Sequence, residues 1–316
     1  MKSLLRFFPA LLAVWPYGIL CIGLFEEDSA GSMVFLWVYC GLTAALLLFQ
    51  ILYCCLHRAS ARTFAFWNLT VKLCHIPVYL AAVALGVLMT MAMVVPALRR
   101  AADETGLTIW SLHLPFSNDL SIAHKDAQVR KKAMETNIAL LRKLGENGIS
   151  HAVVHPGTEP TADADRAEQL KESRENLCLL TEEAIKDGVQ LCVEELPRTC
   201  PGNCSEEMAY LLEAHPRLRL CFDTNHLLKE SHEHFLNAVG SRVETLHVSD
   251  YDFIDERHQL PGEGQIDWQK LIAHLEQLDY KGPWMYEVAL APAPGRRTGP
   301  QLELVDFVRN HKALMR

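Results

Sequence analysis

From Thr105 to the carboxyl terminus, short β-prone apolar runs alternate with amphipathic stretches. Strict strand-helix alternation confines a chain to a parallel sheet with helices packed outside it, and a barrel is the usual closed form. The apolar runs predict strands over 108–114, 150–154, 189–193, 218–222, 243–248 and 283–288. Amphipathic spacing predicts helices over 127–144, 165–186, 205–214, 234–239, 267–278 and 301–314. Gly145 or Gly148 closes the first of these, Gly188 stops the second, and Ser205 is the expected cap of the third.

The strand ends carry the chemistry. The six runs finish at His113, His155, Glu194, Asp223, His247 and Glu287. Sites in barrels of this kind gather at the carboxyl ends of the strands. A single histidine at a strand end is most often hydrogen-bonded structure. Six ends out of six bearing an imidazole or a carboxylate predict a convergent ring able to hold a divalent metal or move protons.

The charge is unevenly spread. Residues 1–100 hold seven Lys/Arg against three acids, which leaves 23 basic and 35 acidic residues in 101–316 out of totals of 30 and 38. The acidic second part argues against nucleic acid as a partner, because phosphate contacts need a basic footprint. The first part holds three long apolar runs, at 4–25, 34–53 and 76–98. The second and third are uncharged and near the ~20 residues that cross a bilayer, whereas Arg6, Pro9 and Pro16 interrupt the first. The expectation is a multi-pass membrane protein with about three helices in 1–100, a lipid bilayer as partner, and a barrel domain over 101–316. The side of the membrane stays open, since Arg99 and Arg100 after the last run oppose the orientation favoured by Lys2, Arg6, Arg58, Arg62 and Lys72. Of ten cysteines, only Cys200 and Cys204 share a short loop, and they read as two incidental thiols.

The second part resembles a known family. Its words are Ser-Leu-His-Leu-Pro-Phe (111–116), Val-Val-His-Pro-Gly (153–157), Cys-Val-Glu-Glu-Leu-Pro (192–197), Cys-Phe-Asp-Thr-Asn-His (221–226), Leu-His-Val-Ser-Asp (246–250), Leu-Pro-Gly-Glu-Gly-Gln-Ile-Asp-Trp (260–268) and Tyr-Glu-Val (286–288). In that order they look like the xylose-isomerase-like barrels, which include sugar isomerases and epimerases and the endonuclease IV type of DNA-repair enzyme. The resemblance implies one divalent metal ion (Mn, Mg, Co or Zn) on Glu194, Asp223, His247 and Glu287, with Glu194 and Glu287 also the acid/base pair. It implies a sugar or sugar phosphate as substrate, faced by His155, His226 and His258, to which His113 is added from its strand end. Asp250 is a candidate for orienting an imidazole or a loop cap, Glu195 stands where relatives often carry asparagine, and Glu263 could reach the pocket. A full barrel has eight strands, and the first readable one here carries the word that relatives place on their third. The expected fold is therefore an incomplete (β/α) TIM-type barrel of six strands, completed by a partner, paired with another copy, or left as a fusion. The leading expectation is a membrane-tethered metal-dependent isomerase or epimerase. The alternatives are an abasic-site endonuclease, disfavoured by the acidic charge and by Phe116 where the nuclease has a histidine, or a non-catalytic barrel remnant.

Overall fold

The computed structural model describes residues 95–316. Six strands, β1 (Ser111–His113), β2 (His151–Val154), β3 (Gln190–Glu194), β4 (Arg219–Asp223), β5 (Val243–Val248) and β6 (Trp284–Tyr286), form one sheet. They lie in chain order and every pair is parallel. Helices α1 (Ala127–Glu146), α2 (Asp163–Lys186), α3 (Ser205–Leu212), α4 (His232–Val239) and α5 (Trp268–Gln277) occupy the crossovers, and α6 (Leu304–Leu314) follows β6. This is a six-stranded half-barrel, with β1 and β6 each paired on one side among the described residues.

Period-two alternation builds two different faces. Ala152, Val154, Leu191, Val193, Leu220 and Phe222 point outward and join the helices in the main apolar core, with Leu141, Leu177, Leu211 and Phe235. Val153, Cys192 and Cys221 point inward as a separate small cluster. The residues two further along, His155, Glu194 and Asp223, share that inner face at the carboxyl end. Ser111 on β1 donates to the Met285 sulfur on β6 across 3.7 Å, so the two edge strands approach each other through the interior.

Several boundaries differ from the sequence reading, for local reasons. Gly145 lies inside α1, against the Asp187 carbonyl, and Gly148 at φ 66 makes the turn after it. Ser205 is the first helical residue of α3 rather than its cap. The Glu230 carboxylate supplies the cap, accepting from the Ser205 N–H and hydroxyl. β6 starts after Pro283, which has no N–H to give a ladder, and ends before Glu287. α6 starts at Leu304, where Glu303 and Asp306 form a reciprocal capping box.

The membrane expectation is corrected. No helix among the described residues is long and apolar enough to cross a membrane. The end of the third apolar run falls in a helical segment, 95–105, that carries an Arg99–Asp103 ion pair at 2.7 Å. That segment buries Val95 and Ala102, with Val95 in the barrel core. The runs at 4–25 and 34–53, and the third up to residue 94, lie outside the described residues.

Candidate metal centre

Glu194 ends β3, Asp223 ends β4, His247 lies one residue before the end of β5, and Glu287 follows β6 directly. Asp223 and His247 are register partners. Their side chains therefore start from adjacent strand tips on one face. The Nδ1 of His247 lies 3.0 Å from Glu194, 2.8 Å from Glu287 and 3.8 Å from Asp223. One ligand atom from each of the four residues falls within 4.8 Å of all the others. Glu194, Asp223 and His247 are buried, and Glu287 is the exposed member.

Electrostatics follows from that convergence. Burial opposes ionisation of Glu194, but His247 and the hydrogen bonds from His113, His155 and His247 hold its pKa well below the usual range. Burial pushes Asp223 up to about 6 despite the nearby His226. Glu287, though its carboxylate is partly desolvated by its neighbours, is lowered by its bond to His247. His247 is raised well above its ordinary value because neighbouring acidic groups outweigh its burial. A divalent cation fits this set. Three carboxylates and one imidazole are the donors that Mn²⁺, Co²⁺, Mg²⁺ and Zn²⁺ accept, and the Oδ2 of Asp223 is buried with no hydrogen-bond partner.

The other expected residues surround this group. His113 donates from Nδ1 to the Leu114 carbonyl and sets Nε2 at 3.0 Å from Glu194. His155 Nε2 lies 3.4 Å from the same carboxylate oxygen. His113, His155 and Glu194 thus form a second group with metal-ligand spacing that shares Glu194 with the first. His226 donates from Nδ1 to the Glu195 carbonyl at 2.8 Å, and its Nε2 faces Asp223 at 3.7 Å. His258 donates from Nδ1 to the Glu287 carbonyl at 3.0 Å.

Three loop residues resolve differently. Asp250 is the loop cap of the two expected alternatives: its buried carboxylate accepts from the N–H groups of Tyr251, Gly262 and Ile266 and from the Trp268 indole. Glu263 turns away from the pocket to grip Arg297 through two 2.7 Å bonds. Glu195 is fully buried, accepts from the Asp223 N–H at 2.7 Å, and is pushed well above the carboxylate range by burial. The sequence reading missed Glu256, whose Oε1 lies 3.3 Å from His258 and 3.6 Å from His226. Nothing in the stretch 252–258 marks it, because its role depends on contacts between loops.

Residues 83–310 match the family model described as xylose isomerase-like TIM barrel. The chain belongs to that family. The match begins inside the third apolar run. A probable endonuclease 4 of Streptomyces avermitilis is 28% identical over 178 residues, 49% of this chain and 56% of that protein. The chain spans between 50% and 61% of the curated relatives it matches. The crystal structure of a D-tagatose 3-epimerase-like protein superposes with a TM-score of 0.59 at 22% identity, covering 70% of this chain and 80% of that one. A D-psicose 3-epimerase with D-tagatose, from Clostridium cellulolyticum H10, gives 0.56 at 19%, covering 70% and 81%. At these identities the likeness establishes the shared barrel.

Proposed function

We propose that this protein is a divalent-metal-dependent isomerase or epimerase of a sugar or sugar phosphate. In this reading Glu194, Asp223, His247 and Glu287 hold one metal ion, and Glu194 and Glu287 transfer the proton. The observation that carries it is the four-residue group with ligand atoms within 4.8 Å, two of whose carboxylates belong to different strand ends. When bound, the ion supplies Lewis acidity that polarises a substrate carbonyl and acidifies the adjacent C–H. Glu194 is held ionised by its imidazole partners, the form that ligates a cation and has a lone pair to accept that proton. Glu287, the exposed member, is suited to exchange it from the other side of the substrate. Asp223 and His247 anchor the group, while His113, His155, His226 and His258 surround it, and their Nε2 atoms, which face Glu194, Asp223 and Glu256, are the ring donors nearest to where substrate oxygens would sit.

The test uses the full chain loaded with Mn²⁺, Co²⁺, Mg²⁺ or Zn²⁺ and a panel of ketoses in D₂O. The expected result is epimerised product with deuterium at the inverted carbon, and a loss of about 10³-fold in Glu194→Gln. Product without deuterium, or an unimpaired Glu194→Gln, would overturn the reading. A second reading, cleavage of abasic DNA, draws on the group His113, His155 and Glu194 beside the first. The excess of acidic residues opposes it. Nicking of an abasic duplex by the metal-loaded chain would favour it over the sugar reading.

A further inference from the structure

We propose that Arg198 is a positioning residue: it fixes Glu256, and through Glu256 the imidazoles of His226 and His258, while joining the loops that follow β2, β3 and β5. The inference rests on the reading just given for those two histidines. Arg198 lies four residues beyond Glu194, at φ 51. A left-handed backbone costs a non-glycine residue about 1 kcal/mol, so surrounding contacts must hold it there. Its guanidinium donates from Nε to Glu159 at 2.9 Å, from Nη1 to Asp255 at 2.8 Å, and pairs with Glu256 as well. Its carbonyl accepts from Asn203, whose side-chain oxygen accepts in turn from Lys229 beyond β4.

One exposed ion pair contributes little to stability. Three carboxylates from two other loops on one planar fork are a different case, because only a guanidinium presents donors in several fixed directions at once. Glu256 is two-sided: Oε2 meets Arg198, and Oε1 faces His258 at 3.3 Å and His226 at 3.6 Å. The Nδ1 atoms of both histidines are already committed to the carbonyls of Glu195 and Glu287. The second fixed point of each ring is at Nε2, where His258 meets Glu256 at 3.3 Å and His226 lies between Glu256 at 3.6 Å and Asp223 at 3.7 Å. Arg257 reinforces the same loop, donating from Nε to Asp252 and from its backbone N–H to Asn225.

The test compares Arg198→Met, Arg198→Lys and Glu256→Gln with the wild type, all as full chains with Mn²⁺. Amide exchange across 252–258 is expected to quicken by about tenfold in Arg198→Met and less in Arg198→Lys. In ketose epimerisation kcat falls by about tenfold with KM within about twofold, and Arg198→Lys recovers part of the loss. Glu256→Gln matches Arg198→Met, and the double variant adds nothing further. Mn²⁺ affinity stays at the wild-type value throughout. Wild-type exchange across 252–258 in Arg198→Met overturns the inference, as does a rise in KM at constant kcat, which would place Arg198 on the substrate. A wild type inactive on every ketose defeats the proposed function instead, and the exchange measurement still decides the role of Arg198.

Discussion

Asp250 is buried with its carboxylate among four N–H donors, and Gly264 packs so closely that an added Cβ would lie 2.3 Å from Oδ1. Asp250→Ala would leave the Gly262 and Ile266 amides and the Trp268 indole without their partner. The expected loss is about 3 kcal/mol in urea unfolding, with metal affinity unchanged. A weakened metal site would instead mean that Asp250 serves the centre directly. His232 offers a pH prediction away from the centre. Burial lowers its pKa below 6.5, against the bond its Nε2 donates to the Thr224 carbonyl. The folded state therefore binds a proton less readily than the unfolded chain. Stability is complete above about pH 6.5 and falls as the pH drops through the depressed folded value. Urea midpoints between pH 7 and 5 should fall more steeply in the wild type than in His232→Gln, and equal slopes would remove His232 from the account. At this scale the sequence was informative about strand-end residues and uninformative about loop residues. His113, Glu194 and Asp223 are reached by counting along a strand, because period two fixes the side on which they emerge. Asp250 and Glu256 take their roles from donors and acceptors brought in by other segments, and their neighbours in sequence say nothing of that.

The elements that close the carboxyl end are held by a few polar staples. Arg297 is 1% exposed, donates to both oxygens of Glu263, and also donates to the Pro300 carbonyl. It fastens the long segment between β6 and α6 to the turn at 261–264 that follows β5. Glu263 is about one-third exposed, so the pair is partly screened. Arg297→Met should cost about 2 kcal/mol, read from urea midpoints, where a fully buried pair would cost more. Faster amide exchange confined to 289–302 is the accompanying signature, and an unchanged midpoint would refute the staple. Element types were readable from periodicity, but their ends were set by partners outside the local window. Glu230, 25 residues away, caps α3 in place of the expected serine. Pro283 shortens β6 through its missing N–H, which sequence alone could have flagged.

For the whole molecule, the half-barrel explains why the site is laid out as it is. The candidate ligands come from β3, β4, β5 and the end of β6, all on the carboxyl-terminal side of the arc. A bound ion would tie one edge strand, β6, to the centre of the sheet. With metal at about one hundred times its dissociation constant, stability should rise by about 2.7 kcal/mol. Thermal melts with Mn²⁺ or Zn²⁺ before and after a chelator would measure this, and Asp223→Asn should lose most of the shift. A melt indifferent to metal in the wild type would count against the centre. The six-strand count and the parallel order were legible because the crossovers keep strand and helix patterns separate. The membrane location was overread: 76–98 is apolar enough for a span, yet its end joins a charged helical segment packed on the barrel.

The inner cluster beneath the carboxylates has a practical use. Cys192 and Cys221 are wholly inaccessible, and burial raises both thiols far above neutral pH, so they present no thiolate to a reagent. Cys178 and Cys204 are partly accessible. Alkylation followed by mass spectrometry should modify the second pair early and the first pair only when the strands part. The delay between the two is a chemical clock for opening of the arc, carried by native residues and readable without any knowledge of the substrate.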